Sequence, residues 1–134
     1  MRTNVLVIGA GPLGLSISAH LRALRVEHCT VGRPMDTWRS HMPAGMRLKS
    51  EPYASEIAAP QAGYDVEAYC RSRGQDYVDR QIPLNLDQFL GYADWYTKAL
   101  VPDVREVTVT DIARAGRYAG KPQTSPRVTA SDQP

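Results

Sequence analysis

"VLVIGAGPLGLSISAHL", residues Val5 to Leu21, places three glycines at G-x-G-x-x-G spacing directly behind an apolar run. They are Gly9, Gly11 and Gly14. The preceding residues 3–8, "TNVLVI", have the short, continuous apolar character of a parallel strand covered on both faces. Pro12 falls in the first helical turn, where its missing N–H would have had no intrahelical partner. Beyond it Leu13, Ile17, Leu21 and Leu24 recur at helical spacing, with Arg22 and Arg25 on the more polar side. Val26 to Val31 reads as a second strand. Strand, glycine turn, helix and strand together form the context in which this spacing carries meaning. The expected fold class is α/β, a Rossmann-like dinucleotide-binding βαβ unit.

The chemistry of such a turn is steric and electrostatic. Gly9 permits a tight exit from the strand, and Gly11 leaves backbone N–H groups open to a pyrophosphate. Gly14 lets the helix pack close to the strand. The helix start, with Pro12 and Leu13, offers unpaired N–H donors and partial positive charge to an anion. The plainer alternative is a tight strand–helix turn that binds nothing. A phosphate-binding P-loop is excluded by Leu15, which stands where that motif needs lysine.

One expected piece is absent. Roughly 20 residues past the glycines an acid should end the second strand and accept the ribose hydroxyls. That position reads "TVGRP", with Gly32 and Arg33 in place of the acid. Arg33 has three readings: a partner for a 2′-phosphate, which favours NADP; a cation over an adenine face; or a solvated side chain before Pro34.

Composition sets the outer bounds. A chain of 134 residues, 43% hydrophobic and 22% charged, fits one soluble globular domain with a single core. A formal net charge of +2 with interspersed signs, and no basic run, argues against a nucleic-acid surface. Cys29 and Cys70 are far apart, and with three scattered histidines they give no metal-ligand spacing. A reducing, cytoplasmic setting is the expectation, and no stretch reaches the roughly 20 apolar residues of a membrane span. Arg2 followed by an apolar run resembles a secretory signal, but Gly9, Gly11, Pro12 and Gly14 would break its apolar region.

Further along, 33–60 shows no period, and so long an irregular segment in a compact domain is usually functional. A short helix is expected from Asp65 to Arg73, stopped by Gly74. A stronger one begins at Asn85, with Gln88 completing a capping box and Leu84 and Phe89 forming a staple. Its inner face would be Phe89, Tyr92 or Ala93, Tyr96 and Leu100, and Pro102 ends it. Glu106 to Ile112, "EVTVTDI", alternates like a strand with one half-covered face. Residues 1–115 therefore form the domain. Gly116 to Pro134, lacking Leu, Ile, Phe and Met, is expected to be a disordered polar tail.

Several of these residues carry a family likeness. "VIGAGPLGL" is similar to the FAD-binding opening of two-dinucleotide flavoproteins. Gly32 to Ser55, "GRPMDTWRSHMPAGMRLKSEPYAS", resembles the segment after the second strand in class B flavoprotein monooxygenases. These comprise the flavin-containing monooxygenases, the Baeyer–Villiger monooxygenases and the lysine or ornithine N-hydroxylases. "IPLNLDQFLGYADWYTKALVPDV" looks like the helix and return strand of such proteins, so the likeness runs from residue 4 to about 112. It implies FAD, with pyrophosphate on Gly9, Gly11 and Gly14. It also implies Trp38 near the flavin, and Met46, Leu48, Lys49 and Ser50 in a stretch passing the isoalloxazine. Trp38, Met46 and Leu48 also suit a core, and Lys49 a solvated surface. His41 invites a general-base role, although a lone loop histidine is more often structural.

In that family NADPH reduces the flavin, which activates oxygen for transfer to a nucleophilic substrate. The cofactor does the hard chemistry, so no catalytic dyad or triad is expected in the chain. The family pattern also includes a second glycine motif for NADPH, returning strands and an Ala-Thr-Gly-type loop. None occurs in these residues. The expectation is an incomplete, truncated N-terminal part, with small-molecule substrate and NADPH sites in the absent portion and association through exposed core or a complementary chain. Two other classes stay open: a non-enzymatic remnant or interaction module, and a small NAD(P)-dependent oxidoreductase.

Overall fold

The computed structural model describes residues 3–113 and 127–131. Strand β1 (Val5–Ile8) leads through the glycine turn into helix α1 (Pro12–Ala23) and strand β2 (His28–Val31). The two strands pair in parallel, Val5 opposite His28 through Ile8 opposite Val31. The expected βαβ unit is therefore present, with both strands shorter than the apolar runs that announced them. Beyond β2 a single parallel rung continues the sheet: Arg105 N–H donates to Thr30 O and Gly32 N–H to Arg105 O, each at 2.9 Å. No strand among the described residues pairs with the other edge of β1.

The face that α1 presents to the sheet corrects the simple reading of its periodicity. Leu13, Ile17 and Leu24 are 80%, 51% and 73% exposed, whereas Leu15, Ser18 and Ala19 are buried. The cause is the close approach of helix and strand at Gly14, which turns the small residues inward. Ser18 Oγ lies 2.6 Å from Thr30 Oγ1 in the buried seam and donates to Gly14 O. A helix apolar on two sides is built to be covered on two sides. Among the described residues nothing packs over the second side.

The core lies on the opposite flank, around α4 (Leu86–Leu100). Its start is the predicted capping box, with Asn85 accepting from Gln88 N–H and Gln88 accepting from Asn85 N–H. Phe89, Tyr92, Ala93, Tyr96 and Leu100 are buried as the spacing requires. Helix α3 (Val66–Ser72), capped by the Asp65 carboxylate on Ala68 N–H, packs against it and ends before Gly74. The irregular segment contains one short helix, α2 (Asp36–His41), and a 3-10 turn at Pro52–Ala54.

Two tyrosine hydroxyls hold residues 57–64 onto α4. Tyr92 Oη accepts from Ile57 N–H at 3.0 Å and donates to Tyr64 O at 2.9 Å. Tyr96 Oη donates to Ala58 O, which also receives Ser16 Oγ. Removing the first hydroxyl strands a buried donor; removing the second leaves its carbonyl with a partner. Tyr92→Phe is therefore expected to cost about 2 kcal/mol and Tyr96→Phe about 1 kcal/mol or less, read from urea unfolding. Equal costs would count against this difference in satisfaction.

Burial also pushes the Tyr96 phenol up to about 12, and it raises Tyr92 as well. The unfolded chain ionises near the ordinary value of about 10, so above it the unfolded state releases protons first. The stability held by the neutral phenols is complete below about pH 10 and is lost as pH rises through the folded values. Alkaline unfolding followed by circular dichroism should begin in that window. A stability flat to about pH 12 would contradict it.

Strand β3 (Thr108–Ala113) pairs antiparallel with β4 (Arg127–Ser131), with an irregularity between Val109 and Asp111. Val107 and Val109 are half-buried and their neighbours exposed, matching the predicted alternation. β4 falls inside the stretch expected to be a disordered tail. Pairing uses main-chain groups and β-branched residues such as Val128 and Thr129, so it does not need the large apolar side chains whose absence suggested disorder. The rest of the predicted tail, 116–126 and 132–134, lies outside the described residues. Among the described residues no helix is long and apolar enough to cross a membrane, and no cluster of His, Cys, Asp and Glu could hold a metal.

Candidate functional site

The end of β1, the glycine turn, the end of β2 and the start of α2 enclose one side of an open cleft of about 520 Å³. Val107, Thr108 and Val109 border the other side. Each glycine has a separate task. A Cβ on Gly14 would sit 1.9 Å from Gly9 O, so this position is glycine for packing. A Cβ on Gly11 would meet nothing within 4 Å, and its φ of −77° suits any residue. The fold therefore does not demand glycine at 11; the bare backbone there fronts the cleft. Gly9, at φ +104°, makes the left-handed exit from β1.

Gly32 explains the missing acid. It sits at φ +130°, and a Cβ would lie 3.0 Å from Ala10 N and 3.2 Å from Gly9 Cα. A side chain at the end of β2 would be strained in this geometry. The following turn is fastened to the glycine loop: Met35 N–H donates to Ala10 O at 3.0 Å, with Met35 in the left-handed region at φ +58° and 1% exposed. Such a backbone is costly for a non-glycine residue and is held by the buried side chain.

Of the residues singled out from sequence, Gly9, Gly11, Gly32, Arg33 and Trp38 line this cleft. Trp38 is half-buried, its ring 4.8 Å edge-on from Phe89, so it serves the core and the cleft wall together. Pro12, Leu13 and Gly14 line a separate apolar groove along β1 with Ile17. Met46, Leu48, Lys49 and Ser50 border neither. Met46 O and Leu48 N–H bond to Leu86 and Leu84, Leu48 is buried in the core, Lys49 is exposed, and Ser50 Oγ lies 2.7 Å from Ser55 Oγ. His41, exposed at the end of α2, is not part of the cleft. Sequence reading missed Met35, Asp36 and Thr37 on the lining. Their signal, three residues between Pro34 and Trp38 in an aperiodic stretch, was faint.

A second charged cleft opens between α2 and α4, where Arg39 pairs with Asp94. Both side chains are substantially exposed, so the pair is worth little in stability.

No protein-family model matches the chain, and no curated protein matches it. Solved structures do. A flavin-containing monooxygenase from Stenotrophomonas maltophilia superposes at a TM-score of 0.70 with 22% identity, over 97% of this chain and 34% of that one. The fold is that of a portion of the flavoprotein monooxygenases. OTEMO in complex with FAD and NADP matches at 0.69 and 16% identity, over 99% of this chain and 24% of its own. This flavoprotein fold is shared with the bacillithiol disulfide reductase Bdr (YpdA) from Staphylococcus aureus, at 0.71 and 15% identity, over 99% and 35% of the two chains. The chain thus spans about a third or less of the proteins it resembles.

Proposed function

We propose that the chain is the FAD-binding segment of an NAD(P)H-dependent flavoprotein monooxygenase, and that turnover needs parts of that fold beyond this segment. The observation that carries this reading is the contrast at the glycine turn. Gly14 is required by packing, whereas Gly11 is open to the cleft with nothing in the fold to demand it. A bare backbone at the start of a 12-residue helix is what a pyrophosphate requires. The backbone N–H groups there would hold the pyrophosphate, Gly32 and Arg33 would border the adenosine, and Trp38, on the same lining, is the residue that the family likeness puts near the flavin. FAD, when bound, supplies the redox chemistry of such enzymes. The NADPH and substrate sites are assigned to the remaining length of the neighbours. Met46, Leu48, Lys49 and Ser50 enter as cofactor residues on the family likeness alone.

The test is a titration of the purified chain with FAD, followed by absorbance near about 450 nm and by flavin fluorescence. One-to-one binding is expected. A folded chain that takes up no flavin would sink the reading.

A second reading, an interaction module without enzymatic activity, is favoured by one observation. Among the described residues the unpaired edge of β1 lies beside the exposed Leu13 and Ile17 of α1. An edge with unpaired main-chain groups beside an apolar face invites association. A chain that self-associates or captures a complementary chain, yet binds neither FAD nor NADPH, would favour it. Tight NADPH binding without FAD binding would instead indicate a small nicotinamide-dependent enzyme.

A further inference from the structure

We propose that Asp36, at the first turn of α2, supplies the ribose-accepting carboxylate that the end of β2 lacks, and that it selects an adenosine with a free 2′-hydroxyl. The inference rests on the dinucleotide reading of the cleft and adds its specificity. Gly32 disfavours any side chain at the usual position, because its φ of +130° strains it and a Cβ would press on Ala10 N and Gly9 Cα. Asp36 is the one carboxylate among the described residues that line the cleft. Its position is fixed rather than incidental. The buried Met35 side chain and the Met35 N–H bond to Ala10 O tie the turn before it directly to the glycine loop.

The carboxylate also keeps acceptor capacity. Among the described residues its carboxylate accepts from Ser40 Oγ at a long 3.4 Å. Arg39, three residues on, is engaged by Asp94 and by Pro34 O. A carboxylate accepts from ribose hydroxyls and repels a 2′-phosphate. This argues against the 2′-phosphate reading of Arg33. With Asp36 on the same lining, the cleft favours the adenosine of FAD over that of NADP.

Isothermal titration of the chain with adenosine 5′-diphosphate, its 2′-deoxy form and its 2′-phosphorylated form tests this without depending on a variant. The diphosphate is expected to bind about tenfold more tightly than either analogue, the loss expected for one hydrogen bond to a charged group. Asp36→Asn should remove most of the difference between the diphosphate and its 2′-phosphorylated form while leaving the 2′-deoxy form unchanged. Asp36 is exposed, so the variant should keep the wild-type circular dichroism spectrum. Equal binding of all three ligands by the wild type overturns the proposal, as does an equal loss for all three in Asp36→Asn. If the wild type binds FAD but shows no 2′ preference, only the role of Asp36 fails. If it binds neither FAD nor the diphosphate, the dinucleotide reading fails and takes this with it.

Discussion

Gly14→Ala is expected to abolish the cooperative unfolding transition or to lower stability by about 3 kcal/mol or more. The added methyl would overlap Gly9 O at 1.9 Å and Gly9 C at 2.9 Å, both main-chain atoms that cannot swing aside. Relief requires α1 to lift from β1. That movement would break the Ser18–Thr30 contact and uncover Leu15, which is wholly buried. Circular dichroism during urea unfolding measures the effect directly. A variant with wild-type stability would show that helix and strand do not approach as closely as described.

Gly11→Ala should do the reverse. Nothing lies within 4 Å of the new methyl, and the backbone at φ −77° accommodates alanine, so stability should stay within about 0.5 kcal/mol. On the proposed function, affinity for FAD should fall about a hundredfold, since the methyl would stand where backbone donors meet the pyrophosphate and would displace charge-assisted hydrogen bonds. The two alanine variants separate fold from binding within one turn. If Gly11→Ala retains full affinity, the pyrophosphate does not sit there and the proposed function loses its main support.

The glycine turn and α4 were legible because their signals are local. Three glycines at fixed spacing, a capping box at Asn85 and Gln88, and a 3.6-residue stripe of Phe89, Tyr92, Tyr96 and Leu100 each declare themselves within a few residues. The buried face of α1 was not legible, for two physical reasons. The helix is apolar on two sides, so periodicity gives no preference between them. The side that seats on the sheet does so through Gly14, Ser18 and Ala19, whose value is smallness rather than hydrophobicity. Likewise β4 depends on main-chain pairing with β3 rather than on large apolar side chains, and the anchoring of residues 57–64 depends on hydroxyls some 30 residues away. In the site, the absence of an acid at 32 was visible, but its cause was not. A positive φ pressed against a neighbouring loop is a tertiary fact.

The open edge of β1 has a thermodynamic consequence. Among the described residues nothing pairs with that edge, and a partner that covered it would bind the folded form and not the unfolded one. By mass action, a covering partner at a hundred times its dissociation constant adds about 2.7 kcal/mol. That exceeds the cost expected for losing the Tyr92 hydroxyl. On the interaction-module reading, the melting temperature is expected to rise with protein concentration or with added partner, as differential scanning calorimetry over a concentration series would show.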